Sequence, residues 1–163
     1  MTTVENLEVA EPVQPKVRHK AFTYRTTVRL TSGRSGTLTA EGKPAFPVSS
    51  PPEFKGEAGR WTPEDLFVAA IDACTMTTFT SFAERLHLPV VGYRSEAVGL
   101  LEFVDGGYRF TQVTLWPTVT LADASALAPA AKAMRDAHEA CLIGRSVIAQ
   151  VAIEPRFEVA EPA

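Results

Sequence analysis

The stretch Thr62–Met76, TPEDLFVAAIDACTM, decides how the rest of the chain reads. Thr62 supplies an N-cap hydroxyl, Pro63 fits the first helical position, where its missing N–H costs nothing, and Asp65 completes an approximate capping box. The spacing predicts a helix starting at Thr62 and running to about Leu86, where His87, Pro89 and Gly92 stop it. Phe67, Ile71, Cys74, Thr78 and Phe82 recur at spacings of three and four, while Leu66, Ala70, Ala73, Met76 and Phe79 make other sides apolar too. A helix apolar on most sides is expected to be buried.

Upstream of this helix, Phe22, Tyr24, Val28 and Leu30 alternate with Arg25, Thr27 and Arg29, the pattern of a half-buried strand. It ends at the glycine-flanked turn SGRSG (32–36). Residues 37–40 suit a returning partner strand, and residues 43–59 read as a long proline- and glycine-rich connection. Downstream, residues 98–103 and 108–121 flank the hairpin signal Asp105-Gly106-Gly107. A second helix is expected from Asp123, its cap, to Cys141, with Pro129 disturbing its first half. CLIGRSV (141–147) reads as a turn into a short helical piece, and Val151, Ile153, Phe157 and Val159 alternate as a last strand. The order β-β-α-β-β-α-β argues for an α+β fold with largely antiparallel sheet packed on two helices.

Composition narrows the function classes. The 163 residues suit one domain, with 45% hydrophobic and 21% charged residues, and a net charge of −3 gives no sign of nucleic acid or a membrane surface as partner. Residues 1–19 mix acids and prolines without periodicity and are expected to be a mobile tail, too acidic and polar for a signal peptide; residues 20–160 form the domain. The run from Leu66 to Phe82 carries Asp72 and five threonines or serines, which does not suit a membrane-spanning helix. A cytoplasmic address follows, and there two cysteines are expected free or redox-cycling.

Those two thiols are the candidates for chemistry. Buried on a helix face, Cys74 is most simply a small hydrophobe, and Cys141 at a helix end has the same bland reading. A reactive cysteine instead needs a cation or a helix N-terminus beside its thiolate. Cys74 lies more than two turns inside its helix, so the cation must come from elsewhere. Arg34 and Arg60, each next to glycine in a loop, are the candidates, although a lone loop arginine is usually a solvated charge. Glu64 is most simply an acid favouring the helix start. His19, His87 and His138 with two cysteines make no zinc signature, and no phosphate loop, nucleophile-elbow serine or basic aromatic patch is present. No metal or cofactor is expected. A cysteine–histidine nucleophile on His138 and Cys141 has no visible third group to orient it.

TPEDLFVAAIDAC (62–74) resembles the N-P-E-x-L-x-x-A-x-x-A-C motif of the OsmC/Ohr family, the osmotically inducible and organic hydroperoxide resistance proteins, and HEACLIGRSV (138–147) resembles its second-cysteine motif. The resemblance covers about residues 22–159. It implies the OsmC-like fold, an intertwined two-fold homodimer and a thiol peroxidase without haem, metal or flavin. By the same resemblance Cys74 is the peroxidatic cysteine, Cys141 the resolving cysteine, Glu64 the motif's glutamate and Arg34 its arginine, with Arg60 the alternative. The substrate would be an organic hydroperoxide and the reductant a dithiol, such as a lipoyl protein. Thr62 stands where the family usually has asparagine; both cap helices. Leu142 stands where better-characterised branches have proline, which places the chain among the broader OsmC-like proteins. A non-catalytic, ligand-binding or structural dimer that keeps the fold and its thiols is the competing reading.

Overall fold

The computed structural model describes residues 19–161; all but His19 of the tail expected over residues 1–19 lies outside the described residues. Among the described residues, nine strands and two α-helices follow one another, with three short 3-10 turns between them. Strands β1 (Thr27–Ser32), β2 (Ser35–Thr39) and β3 (Phe46–Ser49) form one antiparallel sheet in that order. The turn between β1 and β2 needs a left-handed residue, and Gly33 at φ 53° supplies it. β3 lies within residues 43–59, where the sequence suggests only a loop. Pro47 hides it, and is tolerated because β3 is an edge strand.

Helix α1 (Pro63–Arg85) starts as its sequence predicts. Asp65 N–H donates to Thr62 Oγ1 at 3.1 Å, and Thr62 N–H donates to Asp65 Oδ2 at 2.9 Å, closing the capping box. His87, at φ 51°, turns the chain out of the helix.

The rest of the sheet is a three-stranded layer folded along a line. Strands β4 (Val90–Arg94), β7 (Thr118–Leu121) and β9 (Arg156–Val159) form one half, and β5 (Ala97–Val104), β6 (Gly107–Leu115) and β8 (Gln150–Ile153) the other. Each strand of one half continues into the other across a two-residue break, and Pro117 and Pro155, which lack an N–H, sit at two of the breaks. The breaks are tied across the fold: Trp116 N–H donates to Glu96 O at 2.8 Å, and Arg156 N–H to Pro117 O at 2.8 Å. The single strands expected over residues 108–121 and 151–159 are therefore each two. β5 and β6 close on Asp105 (φ 53°) and Gly106 (φ 84°), the positive-φ pair of a tight hairpin turn.

α2 (Leu127–Ala140) follows a 3-10 turn at Ala124–Ala126 that Asp123 caps, its carboxylate accepting from Ser125 N–H at 2.7 Å. Pro129 sits in the first turn of α2, where no intrahelical bond is lost, so it does not disturb the helix. The path from β7 through α2 is a crossover, so β8 and β9 return parallel to β6 and β7. The fold is α+β with two helices, as expected, and its sheet is mixed.

The core forms in two places. Phe79 and Ala83 of α1 meet Ala130, Ala133, Met134 and Ala137 of α2 over Val119 and Leu121. The alanines let the helices approach closely. Ile71 packs with Val113, Leu115 and Ala149, beside Phe67 stacked on Phe110 at 4.5 Å. The buried stripe of α1 is Ile71, Thr75, Phe79 and Ala83, while Ala70, Ala73 and Met76 stay exposed. Burial on most sides is thus not reached within one chain. Nor is β1 half-buried: Val28 and Leu30 are 65% and 74% exposed, and Phe22 and Tyr24 precede the strand. Among the described residues, none is laid over these surfaces. By length and apolarity α1 is the one described helix able to cross a membrane, but it carries Glu64 and Asp72 and packs on α2.

Candidate active site

Cys74 lies mid-way along α1, half-buried, and Cys141, 2% exposed, ends α2 in an extended conformation. The packing of α1 on α2 brings the two free thiols close enough for each to act on the ionisation of the other. Threonines flank them. Thr75 Oγ1 donates to Ile71 O at 2.9 Å and lies 3.9 Å from Cys141 Sγ, and Thr78 Oγ1 lies 3.9 Å from Cys74 Sγ. Gly144 N–H donates to Cys141 Sγ at 3.3 Å.

The two thiols are driven in opposite directions. Burial pushes Cys74 up, but the Ile143 amide, the Cys141 side chain, Thr78 and the Leu142 amide together outweigh it, so its pKa falls below the ordinary thiol value. Cys141 is pushed up by burial and by the neighbouring Cys74, against the weaker pull of Gly144 N–H and Thr75. Of the pair, Cys74 is thus the thiol that ionises more readily, and Cys141 the one that keeps its proton longer.

The other expected members are elsewhere in the protomer. Arg34 is exposed, and its guanidinium donates to the Phe54 carbonyl. Arg60 pairs with Glu57 at 3.0 Å. Neither is among the groups that shift Cys74. Glu64 lines a cavity of about 420 Å³ with Trp61, Val68, Asp72 and Phe110, and its Oε2 is buried without a hydrogen-bond partner. Ten residues of straight helix set Glu64 and Cys74 roughly 15 Å apart along the axis and about 80° apart around it, so they do not meet within one chain. His138 does not act on Cys141; its side chain lines a separate groove with Met134 and Arg135. Of the apolar residues, Ile71 and Phe79 are sealed in the core.

What sequence reasoning missed are the threonines and the amides after Cys141. Thr75 and Thr78, one and four positions after Cys74, were a visible signal. Backbone donors carry none, because any residue but proline supplies one.

The match to a known family decides where this arrangement belongs. A statistical description of the family "OsmC-like protein" matches residues 56–156.

The chain belongs to the OsmC-like protein family.

Solved OsmC-like structures share its fold. An OsmC-like protein of unknown function from Vibrio cholerae is 27% identical, with a TM-score of 0.76 over 83% of this chain and 99% of that one. The organic hydroperoxide resistance protein OhrB of Bacillus subtilis is 24% identical, with a TM-score of 0.61 over 84% and 98%. An organic hydroperoxide resistance protein OsmC from Legionella pneumophila is 20% identical, with a TM-score of 0.67 over 86% and 99%. No curated protein matches the sequence.

Proposed function

We propose that this OsmC-like protein is a cysteine-based peroxidase that reduces organic hydroperoxides. The observation that carries the reading is the opposed pair: a Cys74 held below the ordinary thiol pKa beside a Cys141 held above it. The organic hydroperoxide resistance proteins that share its fold are consistent with that substrate.

The Cys74 thiolate attacks the terminal oxygen of the hydroperoxide. The O–O bond breaks, Cys74 becomes a sulfenic acid, and the alkoxide leaves as the alcohol after taking a proton. Cys141 then attacks the sulfenic sulfur; the S–S bond forms, the S–O bond breaks, and water leaves with the Cys141 proton. A dithiol, of the lipoyl kind, supplies two electrons, restores both thiols and departs as its own disulfide. No cofactor enters any step. With Ile71 and Phe79 buried, Leu142 and Ile143, exposed just after Cys141, are apolar side chains left to meet an alkyl group. Free thiols suit a reducing compartment such as the cytoplasm.

The functional unit is a two-fold dimer. The exposed apolar residues of β1 and α1, and the unpartnered carboxylate oxygen of Glu64, are what a second copy would cover. In that dimer Glu64, with Arg34, serves the Cys74 of the partner.

The test follows peroxide consumption and thiol state in two variants. Cys74→Ser abolishes consumption; Cys141→Ser is oxidised once at Cys74, then stalls or over-oxidises. Unchanged turnover in Cys74→Ser ends the reading in favour of a non-catalytic dimer.

A further inference from the structure

Four threonines follow Cys74 along α1, and their hydroxyl protons go to different places. Thr75 Oγ1 donates to Ile71 O at 2.9 Å, Thr77 Oγ1 to Cys74 O at 3.1 Å and Thr80 Oγ1 to Thr77 O at 3.0 Å. These are the ordinary bonds of a helical threonine to the turn before it. Thr78 breaks the pattern. The carbonyl four residues before it belongs to Cys74, and both lone pairs of that oxygen are taken, one by the helical bond from Thr78 N–H and one by Thr77 Oγ1. Among the described residues, the hydrogen-bond partner of Thr78 Oγ1 is instead Cys74 Sγ, at 3.9 Å.

A hydroxyl so placed responds to the charge of the sulfur. While Cys74 is a thiol, either group can donate to the other. Once it ionises the sulfur has no proton to give, so the hydroxyl must be the donor, and a hydrogen bond to a charged acceptor is the stronger kind. The bond therefore favours the ionised form. Of the described titratable groups, Cys141 at the end of α2 acts on Cys74, while Arg34 and Arg60 from the loops, His138 from α2 and Arg145 from the turn after it do not. The motif that this stretch resembles ends at Cys74 and does not reach Thr78.

We infer that Thr78 is a catalytic residue: its hydroxyl, denied the Cys74 carbonyl by Thr77, donates to the Cys74 sulfur and holds it as the thiolate that meets the hydroperoxide. Each chain brings this donor on the helix that carries the nucleophile, with no second copy required. The inference rests on Cys74 being the reacting thiol of the proposed peroxidase, but its test needs no turnover.

The experiment compares Thr78→Val, Thr78→Ser and Thr80→Val with wild type. Valine keeps the shape of threonine, and because Thr78 Oγ1 serves no backbone group its removal leaves none unpaired. Iodoacetamide alkylation of the reduced protein is followed at each cysteine by mass spectrometry across pH. Below the Cys74 midpoint, Thr78→Val is expected to slow alkylation of Cys74 about fivefold, the loss of one hydrogen bond to the charged form, and to move the midpoint up. Above both midpoints the rates converge to within about twofold, because the hydroxyl governs how much thiolate exists and not whether the reagent reaches it. Thr78→Ser, which restores the hydroxyl, and Thr80→Val, whose hydroxyl serves a carbonyl, keep the wild-type profile. Overlay of Thr78→Val on wild type overturns the assignment, as does slowing by one factor at every pH or an equal shift in Thr78→Ser. If Thr78→Val shifts the midpoint and the wild type consumes no peroxide, the peroxidase reading falls and Thr78 stands as the donor to the thiolate; if peroxide is consumed and the midpoint does not move, Thr78 falls and the peroxidase stands.

Discussion

Thr75 Oγ1 lies 3.9 Å from Cys141 Sγ although 66 positions separate them in the chain. The contact ties the residue after Cys74 to the thiol opposite, so the face of α1 that carries Thr75 sets where Cys141 sits. Thr75 is fully buried, and a larger side chain there must push against Cys141. Thr75→Leu is expected to leave the first oxidation of Cys74 near its wild-type rate while slowing disulfide closure by about tenfold, the effect of roughly 1.4 kcal/mol. Rapid-mixing kinetics separate the two steps; equal slowing of both contradicts the assignment of Cys141 as the second thiol.

Glu64 tests the dimer. Its buried carboxylate oxygen has no partner among the described residues, and helix geometry keeps it from its own Cys74. Mixing inactive Cys74→Ser with Glu64→Ala after mild denaturation should restore about a quarter of the sites, because half the dimers are mixed and each has one intact site. Arg34→Ala should impair peroxide consumption in the same trans fashion, and Arg60→Ala should leave it within about twofold, since an exposed pair such as Arg60–Glu57 contributes little. Activity no higher than the parents' average, with mixed dimers demonstrably formed, returns Glu64 to a helix-start acid.

Gly99 tests the seat of α1. A Cβ there would stand 2.6 Å from Val68 Cγ2 and 2.7 Å from Phe110 Cε1, so α1 and β5 would have to part. Gly99→Ala is expected to cost roughly 1–3 kcal/mol of stability by chemical denaturation, and Val68→Ala to recover part of it. A stability unchanged within about 0.5 kcal/mol would mean that the helix is not seated this closely.

Tyr93 gives the alkaline limb of stability. Burial, and then the charge of Asp72, push its pKa up to about 12, while Ser95 opposes the shift without reaching hydrogen-bond geometry with the phenol oxygen. The unfolded chain therefore releases this proton near pH 10 and the folded one near 12. Stability from this group is full below pH 10 and falls between about 10 and 12. Tyr93→Phe is expected to flatten that fall and to be neutral or stabilising at pH 7, because the buried hydroxyl has no partner. A steeper alkaline fall in Tyr93→Phe contradicts this.

The fold was legible where local chemistry decides it. The capping box at Thr62, the stop at Leu86 and the positive-φ turn at Asp105-Gly106 were all readable, since each depends on neighbours in sequence. The breaks at Trp116-Pro117 and Glu154-Pro155 were not, because alternation continues across them and only cross-strand pairing shows the fold line. β3 was masked by Pro47. The parallel return of β8 and β9 depends on where α2 crosses, which periodicity does not encode. In the site, Cys74 and Cys141 were legible as paired motifs and the packing of α1 on α2 joins them. The amides of Leu142 and Ile143 were invisible because every residue but proline carries one.

The central claim is that Cys74 and Cys141 are one redox pair, and the most direct measurement is the product of a single oxidation. Reduced protein is treated with one equivalent of cumene hydroperoxide, quenched by alkylation and mapped by mass spectrometry. The account predicts loss of both thiols per chain, a Cys74–Cys141 disulfide within that chain, one equivalent of the alcohol and full recovery with a dithiol. Thiols that remain free, or oxidation that begins at Cys141 and spares Cys74, would contradict it.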